Sequence, residues 1–247
     1  PTRRSSDLKK ELDDIREWDL LVYNLKKSFR QRRLLHESFF QTIDQIPKRP
    51  YAYYPLHVDP EASTMVLAPM HVNQLQVIEA IAKSIPLSWN LLVKEHLPNL
   101  GKRPIDFYDR LRRIPGVVLV SPSENNFSLI RNAEVICTIT GTAGWEALML
   151  KKPVVVFGHT PYLELEEGLV YNPDLSRLPR TIQEALATPP IEDRLLIHYI
   201  AAIYTLGFDF PTDLFWGKVT RQTIAEHPDI LHNLCDRVLS PAWVESR

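Results

Sequence analysis

Short apolar runs alternate with amphipathic segments through the middle of the chain. Five runs have the length and the content of β-branched residues typical of buried strands: residues 51–56, 89–94, 117–120, 135–139 and 154–157. The segments between them predict helices over residues 72–84, 105–113, 127–132 and 145–151. Strands and helices in alternation are typical of an α/β fold with a parallel, doubly wound sheet.

Helical patterns flank this alternation on both sides. Apolar residues from Leu8 to Phe29 recur at steps of three and four, and a second apolar set continues to Ile43, so we expect helix over residues 7–46. Further helices are predicted over residues 178–187, 192–206 and 228–239. We therefore divide the 247 residues into an N-terminal helical extension (1–48), a sheet domain (49–190) and a C-terminal helical segment (191–247).

Residues 134–162 carry the clearest indication of a binding site. A predicted strand breaks at the small residues Thr140, Gly141, Thr142, Ala143 and Gly144, and a helix follows directly. In a parallel sheet such a turn lies at the carboxyl edge, and the helix start presents unpaired N–H groups to an anion. We expect the loops after the other strands to line the same cleft, so that a phosphate group binds here.

Glu146 lies in the first turn of that helix, where the helix dipole favours a carboxylate but a bare phosphate nearby would be repelled. A ligand that carries both a phosphate and a ribose diol resolves the conflict, because the amides bind the phosphate while Glu146 accepts hydrogen bonds from the hydroxyls. The alternative is that Glu146 only stabilises the helix start.

Charge and motifs exclude several classes of function. The net charge of −1 argues against a nucleic-acid partner. Basic residues outnumber acidic ones in residues 1–50, which suits either peripheral contact with anionic lipid or a solvated helix face. The turn lacks the lysine of a P-loop, and the two cysteines, Cys137 and Cys235, form no metal motif. We expect no metal and a cytoplasmic location, with the inner face of the membrane as the alternative.

Three segments resemble a known family. The runs TGTAGWEALMLKKPVVVFG, YYPLHVDPE and VKEHLP resemble the nucleotide-sugar-binding half of GT-B glycosyltransferases, in particular the capsule polysaccharide synthesis family that includes bacterial β-Kdo transferases. The resemblance covers residues 50–165. It implies a Rossmann-like domain that binds a nucleotide sugar, and a glycan or glycolipid acceptor. It also places the catalytic base in another domain, so an N-terminal GT-B domain or a partner subunit is expected to complete the enzyme.

The resemblance also implies roles for individual residues. It makes His57 and His96 the catalytic candidates. The donor-binding candidates are Glu61, Glu95, Ser121, Thr140, Gly141, Thr142, Ala143, Gly144, Glu146, Gly158 and Tyr162. The family's His-Pro motif is altered here, because Leu97 stands between His96 and Pro98. A single phosphate held by this loop and the Thr140–Gly144 turn favours a CMP-sugar as donor, with no cofactor.

Other interpretations remain open. From spacing alone, His57 and Glu61 fit a turn fixed by Pro60, and His96 fits an ordinary surface position. The same fold could serve a sugar-nucleotide 2-epimerase, which needs no acceptor. It could also serve a non-catalytic nucleotide-binding or assembly module. Epimerisation of a supplied UDP-sugar would identify the first alternative, and failure to bind any nucleotide sugar would favour the second.

Overall fold

A computed structural model describes residues 17–36 and 39–206 together with Asp229 and His232. The chain divides into two compact units, Pro1–Glu192 and Asp193–Arg247. The first unit is built on a six-stranded sheet in which every pairing is parallel. The strands are β1 (Tyr51–Pro55), β2 (Asn90–Lys94), β3 (Val117–Val120), β4 (Val135–Thr138), β5 (Val154–Val156) and β6 (Leu169–Tyr171).

The order of the strands is β3-β2-β1-β4-β5-β6. The chain therefore moves outward from β1 in one direction, then returns past β1 to build the other half from β4. Ligands bind in open α/β sheets at such a reversal, because the loops that follow the two central strands diverge and leave a crevice. The predicted doubly wound parallel sheet is confirmed.

Helices cover both faces of this sheet, which explains why its strands are continuous apolar runs rather than alternating ones. The helices of the first unit are α1 (Glu17–His36), α2 (Ala62–Met65), α3 (Gln74–Ser84), α4 (Ile105–Arg112), α5 (Asn126–Asn132), α6 (Thr142–Met149) and α7 (Leu178–Ala187). Asn73 and Asn125 cap α3 and α5, since each side chain accepts a hydrogen bond from a first-turn amide. The second unit contains α8 (Asp193–Leu206).

Two predictions about elements need correction. The helix expected over residues 7–46 ends at His36, and Gln41 instead forms a parallel bridge with Val120 at the edge of the sheet. Its amide donates to the Leu119 carbonyl at 2.8 Å, and its carbonyl accepts from the Ser121 amide at 2.9 Å. The backbone groups of this segment thus form hydrogen bonds with the edge of β3 instead of extending the helix.

The sixth strand was not predicted. Leu169–Tyr171 is three residues long and pairs with β5, so it presents too short an apolar run to be recognised. Gly168, with a φ of 71°, turns the chain into this strand. The predicted start of the first helix at residue 7 and the predicted helix over residues 228–239 lie outside the described residues.

Helix α1 is anchored to the sheet unit mainly at its C-terminal end. Leu34 is fully buried and belongs to the main hydrophobic core. The Arg30 guanidinium donates to the Lys102 carbonyl at 3.2 Å, and a Cβ atom on Gly101 would come within 2.6 Å of the Lys27 carbonyl oxygen. By contrast Phe29 is 67% exposed, so this part of the predicted apolar stripe faces away from the core.

The position of Leu34 leads to a test with a matched control on the same helix. Leu34→Ala should lower the free energy of unfolding by about 2–5 kcal/mol, because it removes a fully buried side chain and leaves a cavity. Leu35→Ala makes the same chemical change at a side chain that is 61% exposed, and should alter stability by less than about 0.5 kcal/mol. Urea unfolding of both variants measures the difference; equal losses would show that α1 is not anchored through Leu34.

Candidate functional site

A cleft of about 530 Å³ lies at the carboxyl edge of the sheet, where the loops after β1, β2 and β4 meet. This is the point of reversal between β1 and β4, as expected for a doubly wound sheet. Its lining residues include Tyr53, His57, Glu61, Ser63, Lys94, Glu95, His96, Leu97, Pro98, Pro122, Asn126, Thr140, Gly141, Thr142, Ala143 and Glu146.

A buried histidine joins the two central loops. The Nε2 atom of His57 accepts a hydrogen bond from the Thr140 amide at 3.1 Å, and the Thr138 hydroxyl lies 3.3 Å from the same nitrogen. The Thr138 oxygen in turn accepts from the Gly141 amide at 3.1 Å. The small-residue turn after β4 is therefore held by a side chain that comes from the loop after β1.

The protonation state of His57 follows from these contacts. Burial and the nearby Arg103 guanidinium lower its pKa from 6.5 to about 4, so the ring is neutral at physiological pH. Because Nε2 accepts the Thr140 amide hydrogen, the single ring proton sits on Nδ1. The catalytic role predicted for His57 stays a prediction, and the geometry adds a second role as the anchor of the turn.

A buried ion pair supports the loops after β1 and β2. Glu95 is 1% exposed and accepts from the Arg103 Nε at 3.0 Å, from the Tyr108 hydroxyl at 2.6 Å and from the His96 amide at 2.8 Å. Arg103 also donates to the His57 carbonyl. Gln74 bonds both backbone groups of His57, at 2.8 and 3.1 Å. Both carboxylate oxygens of Glu95 are thus engaged within the protein.

The groups that face the cleft include unpaired donors. Helix α6 begins beyond Gly141, and the Thr142 and Ala143 amides donate to no residue among those described. Lys94 lies half-buried at the end of β2 and forms no ion pair with a described residue. Burial lowers the pKa of Lys94, an effect opposed by the charges of Glu124 and Glu146. His96 is exposed on the adjoining loop. These donors give this part of the cleft the character of an anion site.

The opposite character appears at Glu146. Its Oε2 atom accepts from the Asn126 side-chain amide at 2.8 Å, and its Oε1 atom lies 3.5 Å from the Thr142 hydroxyl. The carboxylate is only partly buried and lines the cleft, so it retains lone pairs that a ligand hydroxyl can reach.

Most of the predicted site residues come together in this cleft. Nine line it: His57, Glu61, Glu95, His96, Thr140, Gly141, Thr142, Ala143 and Glu146. Ser121, Gly144, Gly158 and Tyr162 do not appear in its lining. Three of these support the turn from behind. The Tyr162 hydroxyl donates to the Gly141 carbonyl at 2.8 Å and packs on Gly144, while a Cβ atom on Gly158 would lie 2.6 Å from the Thr140 methyl. Ser121 pairs instead with Ser123 and Gln41.

The prediction missed several residues that shape the site. Lys94 stands next to Glu95 and His96 in the run VKEHLP, but the sequence does not show that Lys94 lines the cleft. Arg103, Gln74 and Asn126 belong to no motif, and only the fold brings them to the loops they support. Cys137 is fully buried, and burial raises its pKa to about 12, as expected of a core thiol.

The described part of the chain offers neither a metal site nor a membrane span. No group of three His, Cys, Asp or Glu residues there has the arrangement of a metal site. No described helix combines the length and apolar character needed to cross a membrane.

The sheet order and the cleft at its reversal define a Rossmann-like α/β domain. A family model described as capsule polysaccharide biosynthesis protein matches residues 17–187, which is more than two thirds of the chain. The chain therefore belongs to the capsule polysaccharide biosynthesis protein family, and the resemblance seen in the sequence is confirmed.

Similar folds occur among solved structures. KpsC, a β-Kdo 2,7 transferase of Thermosulfurimonas dismutans, is 19% identical with a TM-score of 0.42, over 69% of this chain and 56% of that one. The UDP-GlcNAc 2-epimerase of Methanocaldococcus jannaschii is 20% identical with a TM-score of 0.49, over 71% and 50%. The chain thus spans about half the length of these proteins. A search of curated proteins found no match.

The buried ion pair predicts a large difference between two arginine substitutions. Arg103→Met should cost about 3–5 kcal/mol of stability, because it leaves Glu95 charged, buried and without its cation. Arg180→Met breaks an exposed pair with Glu184 and should cost less than about 1 kcal/mol. Chemical denaturation measures both, and adding Glu95→Gln to Arg103→Met should recover part of the loss. A mild effect of Arg103→Met alone would contradict the assignment.

The lowered pKa of His57 predicts how stability depends on pH. The unfolded chain binds a proton at this residue below about pH 6.5, whereas the folded protein does so only below about pH 4. The contribution of His57 is therefore fully present above pH 6.5 and is lost as the pH falls towards 4, by roughly 3 kcal/mol. His57→Gln should show a shallower fall than the wild type in urea unfolding between pH 7 and 4. Parallel curves would refute the shift.

Proposed function

We propose that this chain is the donor-binding half of a GT-B glycosyltransferase that acts in bacterial surface or capsular polysaccharide synthesis. One observation carries the proposal: a single cleft holds unpaired helix-start amides, Lys94 and His96 together with the carboxylate of Glu146. A nucleotide sugar has the matching groups, since it joins an anionic phosphate to a ribose diol. Membership of the capsule polysaccharide biosynthesis family supports the same reading.

The phosphate end would be bound by the Thr142 and Ala143 amides together with Lys94 and His96. In glycosyl transfer the bond between the sugar and the phosphate breaks, and negative charge builds up on the departing nucleotide. Amides and cations already aimed at that position stabilise the developing charge without a metal ion. Lys94 suits this task because its half-buried ammonium group has no ion pair with a described residue and gains a counter-ion when the nucleotide binds.

The ribose end would be recognised by Glu146, which still has lone pairs directed to the cleft. His57 would act through the turn, because its Nε2 atom holds the Thr140 amide and so sets the direction of the following amides. A buried neutral imidazole performs this task over a wide pH range. A catalytic part for His57 or His96 in proton transfer is retained as a proposal.

We place CMP-sugars first among the donors, because one phosphate can be held between the α6 amides and the loop of Lys94 and His96. The acceptor would be a glycan or glycolipid. The base that activates it would come from an N-terminal GT-B domain or from a partner subunit. The basic residues of α1, Lys26, Lys27, Arg30, Arg32 and Arg33, suit peripheral contact with anionic lipid at the inner face of the membrane.

A ligand screen tests the proposed function. Thermal shift with CMP-, UDP-, GDP- and dTDP-sugars should give a rise in melting temperature for at least one, largest for a CMP-sugar, because a ligand that binds only the folded state stabilises it. Calorimetry then gives the dissociation constant. Absence of binding by any of the four would overturn the proposal, and turnover of a UDP-sugar to its 2-epimer would replace it with the epimerase alternative.

The role of Lys94 predicts a specific loss of affinity. Lys94→Met should weaken binding of the nucleotide sugar by about 1.5–3 kcal/mol, the range for a hydrogen bond that involves a charged group. Lys83→Met removes an exposed lysine outside the cleft and serves as the control. His96→Ala should weaken the same ligand in the same direction. If Lys94→Met binds the nucleotide sugar as tightly as Lys83→Met by calorimetry, Lys94 does not hold the phosphate.

A further inference from the structure

A chain of hydrogen bonds runs from the centre of the sheet to the carboxylate in the cleft. Tyr53 is fully buried in β1, and its hydroxyl donates to the Asn126 Oδ1 atom at 2.5 Å. The Nδ2 atom of Asn126 then donates to Glu146 Oε2 at 2.8 Å. All three residues line the cleft, and no cofactor or ligand is needed to form the chain.

The direction of every hydrogen bond in this chain is determined by its two ends. Burial and the charge of Glu146 raise the pKa of Tyr53, so the phenol stays protonated and acts as the donor. An ionised Glu146 can only accept. Asn126 must therefore turn its carbonyl to Tyr53 and its amino group to Glu146, because the flipped amide would set two acceptors against each other. The amide of Asn126 has one allowed orientation.

The backbone also restrains this chain. Asn126 is the first residue of α5, directly after the N-cap Asn125. Glu146 lies in the second turn of α6 and not in its first turn as predicted, because the helix begins at Thr142. Tyr53 lies in a strand that pairs with neighbours on both sides. The carboxylate is thus connected through a short, rigid path to the most buried part of the sheet.

We propose that Tyr53 and Asn126 are positioning residues that hold the Glu146 carboxylate in the orientation that recognises the ribose hydroxyls of the ligand. The identity of the ligand rests on the proposed function above. With Oε2 engaged by Asn126 and Oε1 3.5 Å from the Thr142 hydroxyl, the carboxylate lines the cleft and keeps acceptor capacity for a pair of vicinal hydroxyls. The chain therefore determines selectivity for a ribonucleotide over a 2′-deoxyribonucleotide.

A second tyrosine of β1 offers a matched control for this proposal. Tyr51 lies two residues before Tyr53 in the same strand, and its hydroxyl donates to the Leu129 carbonyl of α5 at 2.8 Å. Tyr51→Phe and Tyr53→Phe each remove one buried tyrosine hydroxyl that bonds α5. Only the second change releases Asn126.

The first measurement needs no ligand. In NMR spectra of the whole chain, Tyr53→Phe should speed solvent exchange of the Asn126 side-chain amide protons by about tenfold, because loss of one of two hydrogen bonds frees the amide to rotate. Tyr51→Phe should leave that exchange rate unchanged. Equal rates in the wild type and Tyr53→Phe would overturn the proposal. If Tyr53→Phe does not fold, Asn126→Leu, at a partly exposed position, takes its place in the binding measurement below.

The second measurement uses CMP and 2′-deoxy-CMP as probes. The wild type should bind CMP about tenfold more tightly than 2′-deoxy-CMP. This ratio of the two dissociation constants should fall towards one in Glu146→Gln, Tyr53→Phe and Asn126→Leu, but not in Tyr51→Phe. An unchanged ratio in Tyr53→Phe and Asn126→Leu would overturn the proposal. If the amide exchange responds as expected while the wild type binds neither probe and no nucleotide sugar, the positioning chain stands and the proposed function falls.

Discussion

The hydrogen bond between the Thr140 amide and the buried ring of His57 holds the site together. The loops after β1 and β4 leave the sheet in diverging directions, and this divergence opens the crevice of a doubly wound sheet. The sheet topology alone does not fix the conformation of the two loops that border this crevice. The His57 imidazole links the two loops across the crevice, and Gln74 and Arg103 in turn form hydrogen bonds with the backbone of His57. The turn after β4 is thereby fixed by a side chain from the loop after β1 and by the residues that support it.

The polar groups of the cleft separate into two sets with different energetic states. Behind the turn, Glu95 and Arg103 are buried and paired, as they must be, since an unpaired charge in this position is costly. In front, Lys94 and the first amides of α6 form no hydrogen bond or ion pair with a described residue, although the charges of Glu124 and Glu146 act on Lys94. Donors in this second set are therefore the ones available to an anion, as the proposed function requires.

The fold was largely predictable because its central strands are buried on both faces and so appear as uninterrupted apolar runs. The same reasoning failed where pairing depended on the neighbouring strand. Leu169–Tyr171 is too short to be recognised, and it becomes a strand because β5 offers an unpaired edge. Gln41 leaves the helical pattern for the corresponding reason at the opposite edge, next to β3. Periodicity describes which side of an element is apolar, and it carries no information about which edge is vacant.

Within the site, glycines and small residues marked the turn, but residue type alone could not separate the carboxylates. Glu95 and Glu146 both follow a strand of the central sheet and both reach the cleft. Glu95 accepts from an arginine, a tyrosine and an amide, and its accessible surface is almost nil. Glu146 meets only an asparagine at close range and keeps acceptor capacity towards the cleft. The neighbours that separate the two carboxylates, Arg103 and Asn126, reach them only through tertiary structure. Two glutamates that look alike in the sequence therefore differ in the fold, since one is fully paired and the other keeps acceptor capacity towards the cleft.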